Sequence, residues 1–376
     1  MARIYLDARA VFGPSGLQRY CEGLIPQLAA QAPFHELLVV RLAGAPGPAY
    51  AAAPNVREVR VRGVTGTLPL LLSRRTLARV FAEYGPPDLL HSIFHVVPFG
   101  IRAAEHAPPR IVVTLHDLIW VDYARQVEPT LLHAWWRRRL GATAIGYALR
   151  TADHVLCNSE ATRRSAERWI ERERTSVVHH GVAEPFFAAP AGERRGGRPA
   201  VIAAFGVAKR YKNVECLVRA LASIADARPA VQLLLLGGDG GARDLIERLG
   251  VGGRVRITGP LADTELRASI RDAAVFVVPS LVEGFGLPVL EAMALGTPVV
   301  VSDVPALREV AGDAALVFDP YRPESLAAAL TSVLDDERLG SRMSAAGRAR
   351  ARQFAWARTA EQTLAAYERV LTTRSI

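Results

Sequence analysis

Two glutamates, Glu283 and Glu291, stand with seven residues between them, and those residues open on a tight turn, Gly284-Phe285-Gly286, running into Leu287-Pro288. What such a pair can act on depends on the elements that hold it. Upstream, AAVFVVPS over residues 273–280 is an apolar, β-branched run that predicts a buried strand. Downstream, LPVLEAMALG predicts a helix with Pro288 in its first turn and Gly296 past its end. The order is therefore strand, glycine turn, helix. Free backbone N–H groups at such a helix start attract phosphates and hydroxyls. Glu291 lies about one turn into the helix, within reach of a polyhydroxyl ligand held at that end. Two acids around an anion-binding turn point to a ligand that carries both phosphates and sugar hydroxyls.

The same alternation runs through the chain. In the first half, residues 3–6, 36–42, 56–61, 88–91, 110–115, 154–157 and 175–179 read as strands. Residues 15–30 and 71–84 read as helices. Residues 188–200, AAPAGERRGGRPA, are rich in Gly, Pro and Arg without an apolar period, and read as a linker. Beyond it, AVIAAFG, VQLLLLGG, RVRITG, AAVFVVPS, TPVVVSD and AALVFDP are six strand candidates, each followed by helix or turn. Alternation of this kind means parallel sheets with helices on both faces. The expected division is 1–188 for the first domain, 189–199 for the linker, 200–353 for the second domain, and 354–376 for an amphipathic terminal helix.

Length and composition agree. A chain of 376 residues is long for one hydrophobic core. Half of it is hydrophobic, with mean hydropathy +0.14, which suits buried parallel sheets. No uncharged apolar run reaches 18 residues, and the start, MARIYLDARAVF, lacks the pattern of a signal peptide, so a cytoplasmic protein without a spanning helix is expected. Cys21, Cys157 and Cys216 have no metal or redox spacing and read as buried small hydrophobes. The net charge of +9 fits anionic substrates or an anionic membrane, or simply an arginine-rich composition; no nucleic-acid motif accompanies it. The only two lysines, Lys209 and Lys212, share the segment VAKRYKN, which suggests a need there for a compact ammonium rather than a guanidinium. All nine histidines precede residue 181, so any histidine chemistry belongs to the first half.

Four further segments stand out. GPSGLQRY, with Gly13 and Gly16, follows the first strand and opens the first helix; its glycines would let backbone approach a diphosphate, or it is an ordinary turn. It lacks the G-x-G-x-x-G spacing of a dinucleotide fingerprint. TLHDLIW sets His116 and Asp117 at a strand's carboxyl end, where open α/β sheets bind ligands. NSEATRRSAERW carries Ser159 as a good helix N-cap. HAWWRRRL places Trp135 and Trp136 beside Arg137, Arg138 and Arg139; it reads as a membrane-surface segment, or as a surface helix with its tryptophans packed inward.

Taken together, PSLVEGFGLP, LEAMALGTPVVVSD and LREVAGDAALVFDP resemble the E-x7-E region of retaining glycosyltransferases of family four. The resemblance covers nearly the whole chain and is strongest over residues 206–320. It implies a GT-B fold, in which two doubly wound, Rossmann-like α/β domains face a cleft. It implies a metal-independent hexosyltransferase without a cofactor, consistent with the lack of any Asp-x-Asp, the metal-chelating signature of the other large glycosyltransferase fold. The partners implied are a nucleotide-sugar donor, GDP-mannose first and a UDP-sugar next, and a glycan or lipid-linked acceptor in surface polysaccharide synthesis. An anionic membrane surface at the inner membrane face is a further expected partner, and nucleic acid is not. The rival readings are a GT-B synthase or phosphorylase-like enzyme and an inactive sugar-nucleotide binder. Site residues carry over one by one. His116, Glu283 and Lys212 are implied as catalytic. Gly13, Gly16, Arg210, Lys212, Ser280, Phe285, Gly286, Leu287 and Glu291 are implied as donor-binding, with Glu291 on the ribose. Tyr211 stands where the family usually has an arginine, and Arg210 or Lys209 is the neighbouring substitute.

Overall fold

The computed structural model describes residues 1–13, 15–45, 50, 53–104, 108–128, 130–188 and 200–373. The linker expected at 189–199 lies outside the described residues. The chain divides into two compact units, one of Met1–Ala124, Thr130–Gly181 and Ala355–Ile376, the other of Arg125–Pro129 and Val182–Phe354.

Among the described residues the first unit holds seven parallel strands: β1 Arg3–Asp7, β2 Glu36–Leu42, β3 Val56–Val61, β4 Leu89–Ser92, β5 Arg110–Leu115, β6 His154–Cys157 and β7 Thr175–Val177. They lie in the order β3-β2-β1-β4-β5-β6-β7. Side chains alternate across this sheet, and both faces are buried. Ile4, Leu6, Leu37 and Val39 pack under helix Gly16–Gln31, whereas Tyr5, Leu38 and Val40 pack against Leu77, Val80 and Phe81 on the other side. The terminal helix Trp356–Thr372 lies on the first of these faces, beside Gly16–Gln31. Gly23 allows this close approach: a Cβ there would fall 2.1 Å from the Trp356 ring. The expected helix over 71–84 is two helices, Thr67–Leu71 and Arg74–Tyr84. Leu70 and Leu71 are drawn inward onto Val96 and Ala144, which turns the chain at Leu72 and Ser73.

The second unit repeats the plan with β8 Val201–Phe205, β9 Gln232–Leu236, β10 Val255–Ile257, β11 Val275–Val278, β12 Val299–Ser302 and β13 Leu316–Phe318, in the order β10-β9-β8-β11-β12-β13. Phe276 and Val278 point to one face, under helix Leu287–Ala294; Val275 and Val277 point to the other, under helix Val214–Ile224. Full burial of each such side chain contributes roughly 1.5–3 kcal/mol. The strand order reverses between β8 and β11, so the loops that leave these two strands diverge and open a crevice at their carboxyl ends.

Candidate active site

The loop after β8 ends in a short 3-10 turn, Arg210–Lys212, and the loop after β11 runs from Pro279 to the helix Leu287–Ala294. The Leu281 N–H donates to the Tyr211 carbonyl at 2.7 Å and ties the two loops together. Asn213, in the left-handed region with φ 55°, closes the first loop, and its Nδ2 donates to the Pro320 carbonyl at 2.8 Å. Between these fixed points Lys212 Nζ donates to Glu283 Oε1 at 2.7 Å, and Ser280 Oγ donates to the same oxygen at 2.6 Å. Ser280 is buried, while Lys212 and Glu283 keep limited exposure, 24% and 13% of their side chains. The crevice therefore presents one ammonium and one carboxylate, paired yet open to a ligand. Arg210 is exposed beside them.

Gly286 caps the helix with φ 112°, and a Cβ there would lie 2.7 Å from Leu307 Cδ2, so both backbone and packing require glycine. The N–H groups of Gly286 and Leu287 belong to the first turn and have no carbonyl of the helix to pair with. Phe285 is buried in the core, with its ring edge-on to Phe354. Its side chain is thus an anchor for the turn. Glu291 is only 2% exposed, one turn into the helix.

In the first unit the carboxyl end of β5 carries His116. Its Nε2 is 2.8 Å from the Ile93 carbonyl, and a carbonyl can only accept, so Nε2 bears the proton and Nδ1 keeps its lone pair. Asn158 Nδ2 donates to the His116 carbonyl at 2.8 Å. The Tyr20 and His180 rings pack on the imidazole with centroids 5.0 and 5.3 Å away. Burial among these groups pushes the His116 imidazole down, to about 4, and keeps it neutral at pH 7. Gly13 and Gly16 border open space, since a Cβ at either would meet nothing within 4 Å. Tyr20 belongs to the helix that Gly16 opens, and Ser15 caps that helix by accepting from the Gln18 N–H at 3.2 Å.

The structure thus gathers Lys212, Ser280 and Glu283 at one crevice, with Gly286, Leu287 and Glu291 on the adjoining turn and helix. His116, Gly13 and Gly16 lie in the other unit. Sequence reasoning missed the contact between Lys212 and Glu283, which are 71 positions apart, and the packing of Tyr20 and His180 on His116. A cavity of about 320 Å³ lies at the opposite end of the first sheet, where β5 and β6 begin, lined by Arg110, His154, Arg174 and Arg369 among others. There Arg174 bonds the Ala152 carbonyl and Arg110 the Thr373 carbonyl, at the carboxyl ends of two helices. Cations at those ends offset the helix dipole, so these side chains are accounted for structurally.

The family model described as "Glycosyltransferase Family 4" matches residues 14–184, and the one described as "Glycosyl transferases group 1" matches residues 188–350. The MMP alpha-(1->4)-mannosyltransferase of Mycolicibacterium hassiacum is 34% identical over 309 residues, spanning 78% of this chain and 74% of that protein. The chain belongs to glycosyltransferase family 4. The D-inositol 3-phosphate glycosyltransferase of Kineococcus radiotolerans is 30% identical over 402 residues, covering 96% of the family-4 chain and 92% of its own length. Among solved structures, sucrose-phosphate synthase from Thermosynechococcus elongatus superposes with TM-score 0.81 at 24% identity, over 98% of this chain and 99% of that one. The family-4 chain is thus a glycosyltransferase of the GT-B fold that uses a nucleotide sugar. No helix among its described residues is long and apolar enough to cross a membrane.

Proposed function

We propose that this glycosyltransferase moves a hexose with retention from a nucleotide-diphosphate sugar to a glycan or lipid-linked acceptor in cell-surface polysaccharide synthesis, without a metal. GDP-mannose is the first donor proposed and a UDP-sugar the second; the mannosyl specificity in the name of the Mycolicibacterium relative supports that order. The observation that carries the reading is the paired Lys212 and Glu283 at the crevice beside the start of helix Leu287–Ala294. The Lys212 ammonium and the first-turn N–H groups of Gly286 and Leu287 meet the charge of the departing diphosphate. Gly13 and Gly16 offer further backbone to it, and Arg210 a further cation. Glu283 faces the sugar carbon as positive charge builds there, and Glu291 takes the ribose hydroxyls. His116 accepts a hydroxyl hydrogen bond through Nδ1. The bond between the anomeric carbon and the phosphate oxygen breaks as the acceptor oxygen bonds that carbon, and the acceptor's proton passes to the departing phosphate.

Transfer assays with GDP-mannose, UDP-glucose and ADP-glucose, each with and without EDTA, test this reading. Turnover should be fastest with GDP-mannose and unchanged by chelator. Loss of activity in EDTA, restored by magnesium or manganese, would contradict the proposed handling of charge.

The same proposal places the enzyme at an anionic membrane surface. Helix Leu131–Thr151 carries Trp135 and Trp136 at 50% and 61% exposure, with Leu131 and Leu132 also outward, so the inward-packed reading of these tryptophans does not hold. Arg139 lies over the Trp135 ring with its guanidinium carbon 5.5 Å from the centroid. Helix Thr67–Leu71 packs on the same long helix and exposes Leu68, with Leu72 just beyond. Apolar side chains flanked by arginines suit the headgroup region of a bilayer. Flotation with acidic liposomes should show binding that falls as salt rises and weakens in Trp135→Ala/Trp136→Ala. Equal binding to neutral vesicles, or none to either, would contradict this placement.

A further inference from the structure

Glu283 is held on one oxygen only. Both of its hydrogen bonds, from Lys212 Nζ at 2.7 Å and from Ser280 Oγ at 2.6 Å, end on Oε1. The two donors are unlike. Lys212 sits on the loop after β8 with its side chain 24% exposed, and a phosphate oxygen would compete with Glu283 for its ammonium. Ser280 is 1% exposed and lies two residues past the end of β11, three before Glu283, so its hydroxyl is held close to the sheet and away from solvent. A carboxylate anchored through Oε1 by a buried donor presents Oε2 in a set direction, provided the anchor persists when Lys212 turns to other work.

We propose that Ser280, expected from its motif to bind the donor, is instead a positioning residue that acts through Glu283. It pins Oε1 so that Oε2 faces the reacting sugar, and it keeps the carboxylate in place while Lys212 engages the diphosphate. The inference rests on the reading of Glu283 given above. It makes Ser280 matter most during transfer, when Lys212 is committed elsewhere, and little for nucleotide binding.

The test is a cycle of Ser280→Ala, Glu283→Gln and the double variant, with kcat, donor KM and nucleoside-diphosphate Kd measured for each, and Ser280→Thr as the conservative replacement. Ser280→Ala should lower kcat about tenfold and leave the Kd for the nucleoside diphosphate within about twofold. In the Glu283→Gln background the same change should cost less than about twofold, because the carboxylate it acts through is gone. Ser280→Thr, which keeps the hydroxyl, should recover most of the turnover. A Ser280→Ala variant that binds nucleoside diphosphate tenfold more weakly at unchanged kcat would show direct donor contact and overturn the proposal. Equal losses from Ser280→Ala in both backgrounds would overturn it too, and would remain readable if the single variant were less stable. Glu283→Gln without effect on kcat would remove the underlying reading and this inference together, whereas an impaired Glu283→Gln beside a normal Ser280→Ala would remove this inference alone.

Discussion

Glu283→Gln is expected to lower kcat by roughly a hundredfold or more, the scale seen when one preorganised electrostatic group is removed from a reacting centre. Donor KM should move little. Glutamine keeps the shape of the side chain and can still accept from Ser280 and Lys212, so the loop stays in place. What it lacks is the negative charge, which matters only when positive charge develops on the sugar carbon. It also removes the charge that Lys212 pairs with at 2.7 Å, so its hold on the ammonium weakens, which favours rather than hinders attachment of a diphosphate. Glu291→Gln should behave differently. Its proposed partners, the ribose hydroxyls, are the same before and during reaction, so the loss falls on binding: donor KM should rise roughly tenfold with kcat little changed. Because Glu291 is buried, circular dichroism and melting must first show the variant folded. Steady-state rates over a range of donor concentrations separate the two cases. The same pattern for both variants, or the reverse one, would contradict the division of labour.

Acid should unfold the first unit well above the pH at which carboxylates are lost. Besides His116, further buried histidines are held neutral in the fold. Burial pushes His91 and His95 down to about 3 and His154 to about 4, and His180 lies well below its ordinary value, again chiefly through burial. The unfolded chain takes up a proton at each near pH 6.5, so below that pH it binds more protons than the fold, and stability falls as pH drops. The loss starts near pH 6.5 and continues down to the folded values. Between pH 6.5 and 5 each such group costs on the order of 1–2 kcal/mol, so together they approach a total stability of about 5–15 kcal/mol. Depressed carboxylates such as Glu160 and Asp303 shift stability the same way, but only near and below pH 4, so they do not blur this window. All nine histidines and all five tryptophans belong to the first unit, so tryptophan emission reports where the titration acts. The urea midpoint followed by that emission should fall steeply from pH 7 to pH 5. A midpoint that stays flat over this range would contradict the account of the buried imidazoles.

Much of this architecture was legible because period and punctuation agree. The run at 273–280 is a strand at Val275–Val278, and LPVLEAMA is the helix Leu287–Ala294, with Pro288 in its first turn. Strands at 36–42, 56–61, 110–115 and 154–157 were legible to the residue. Less legible were features set by packing between distant segments. Lys212 meets Glu283 only because β8 and β11 are neighbours at the point where strand order reverses, and no local pattern carries that adjacency. Gly23 reads as a poor helix residue until Trp356 is found against it. The tryptophans of HAWWRRRL are outward because small residues, Ala134 and Ala144, take the buried positions of that helix, and a low-contrast helix of this kind does not announce which side is which. The burial of five histidines, His35, His91, His95, His154 and His180, was likewise invisible, since an imidazole reads equally well as surface or core.

The central claim is that Lys212 at the β8–β11 crevice holds the diphosphate of the donor. Calorimetric titration of GDP and UDP into metal-free protein tests it most directly, with the wild type, Lys212→Ala, and Lys212→Ala/Glu283→Gln. The double variant is needed because Lys212→Ala alone leaves the Glu283 carboxylate without its cation, which would itself repel phosphate. A charge-assisted contact contributes roughly 1.5–3 kcal/mol, so both variants should bind at least about tenfold more weakly than the wild type. Wild-type affinity in the double variant would mean that Lys212 serves only as the counter-ion of Glu283, and the account of the crevice as the diphosphate site would be wrong.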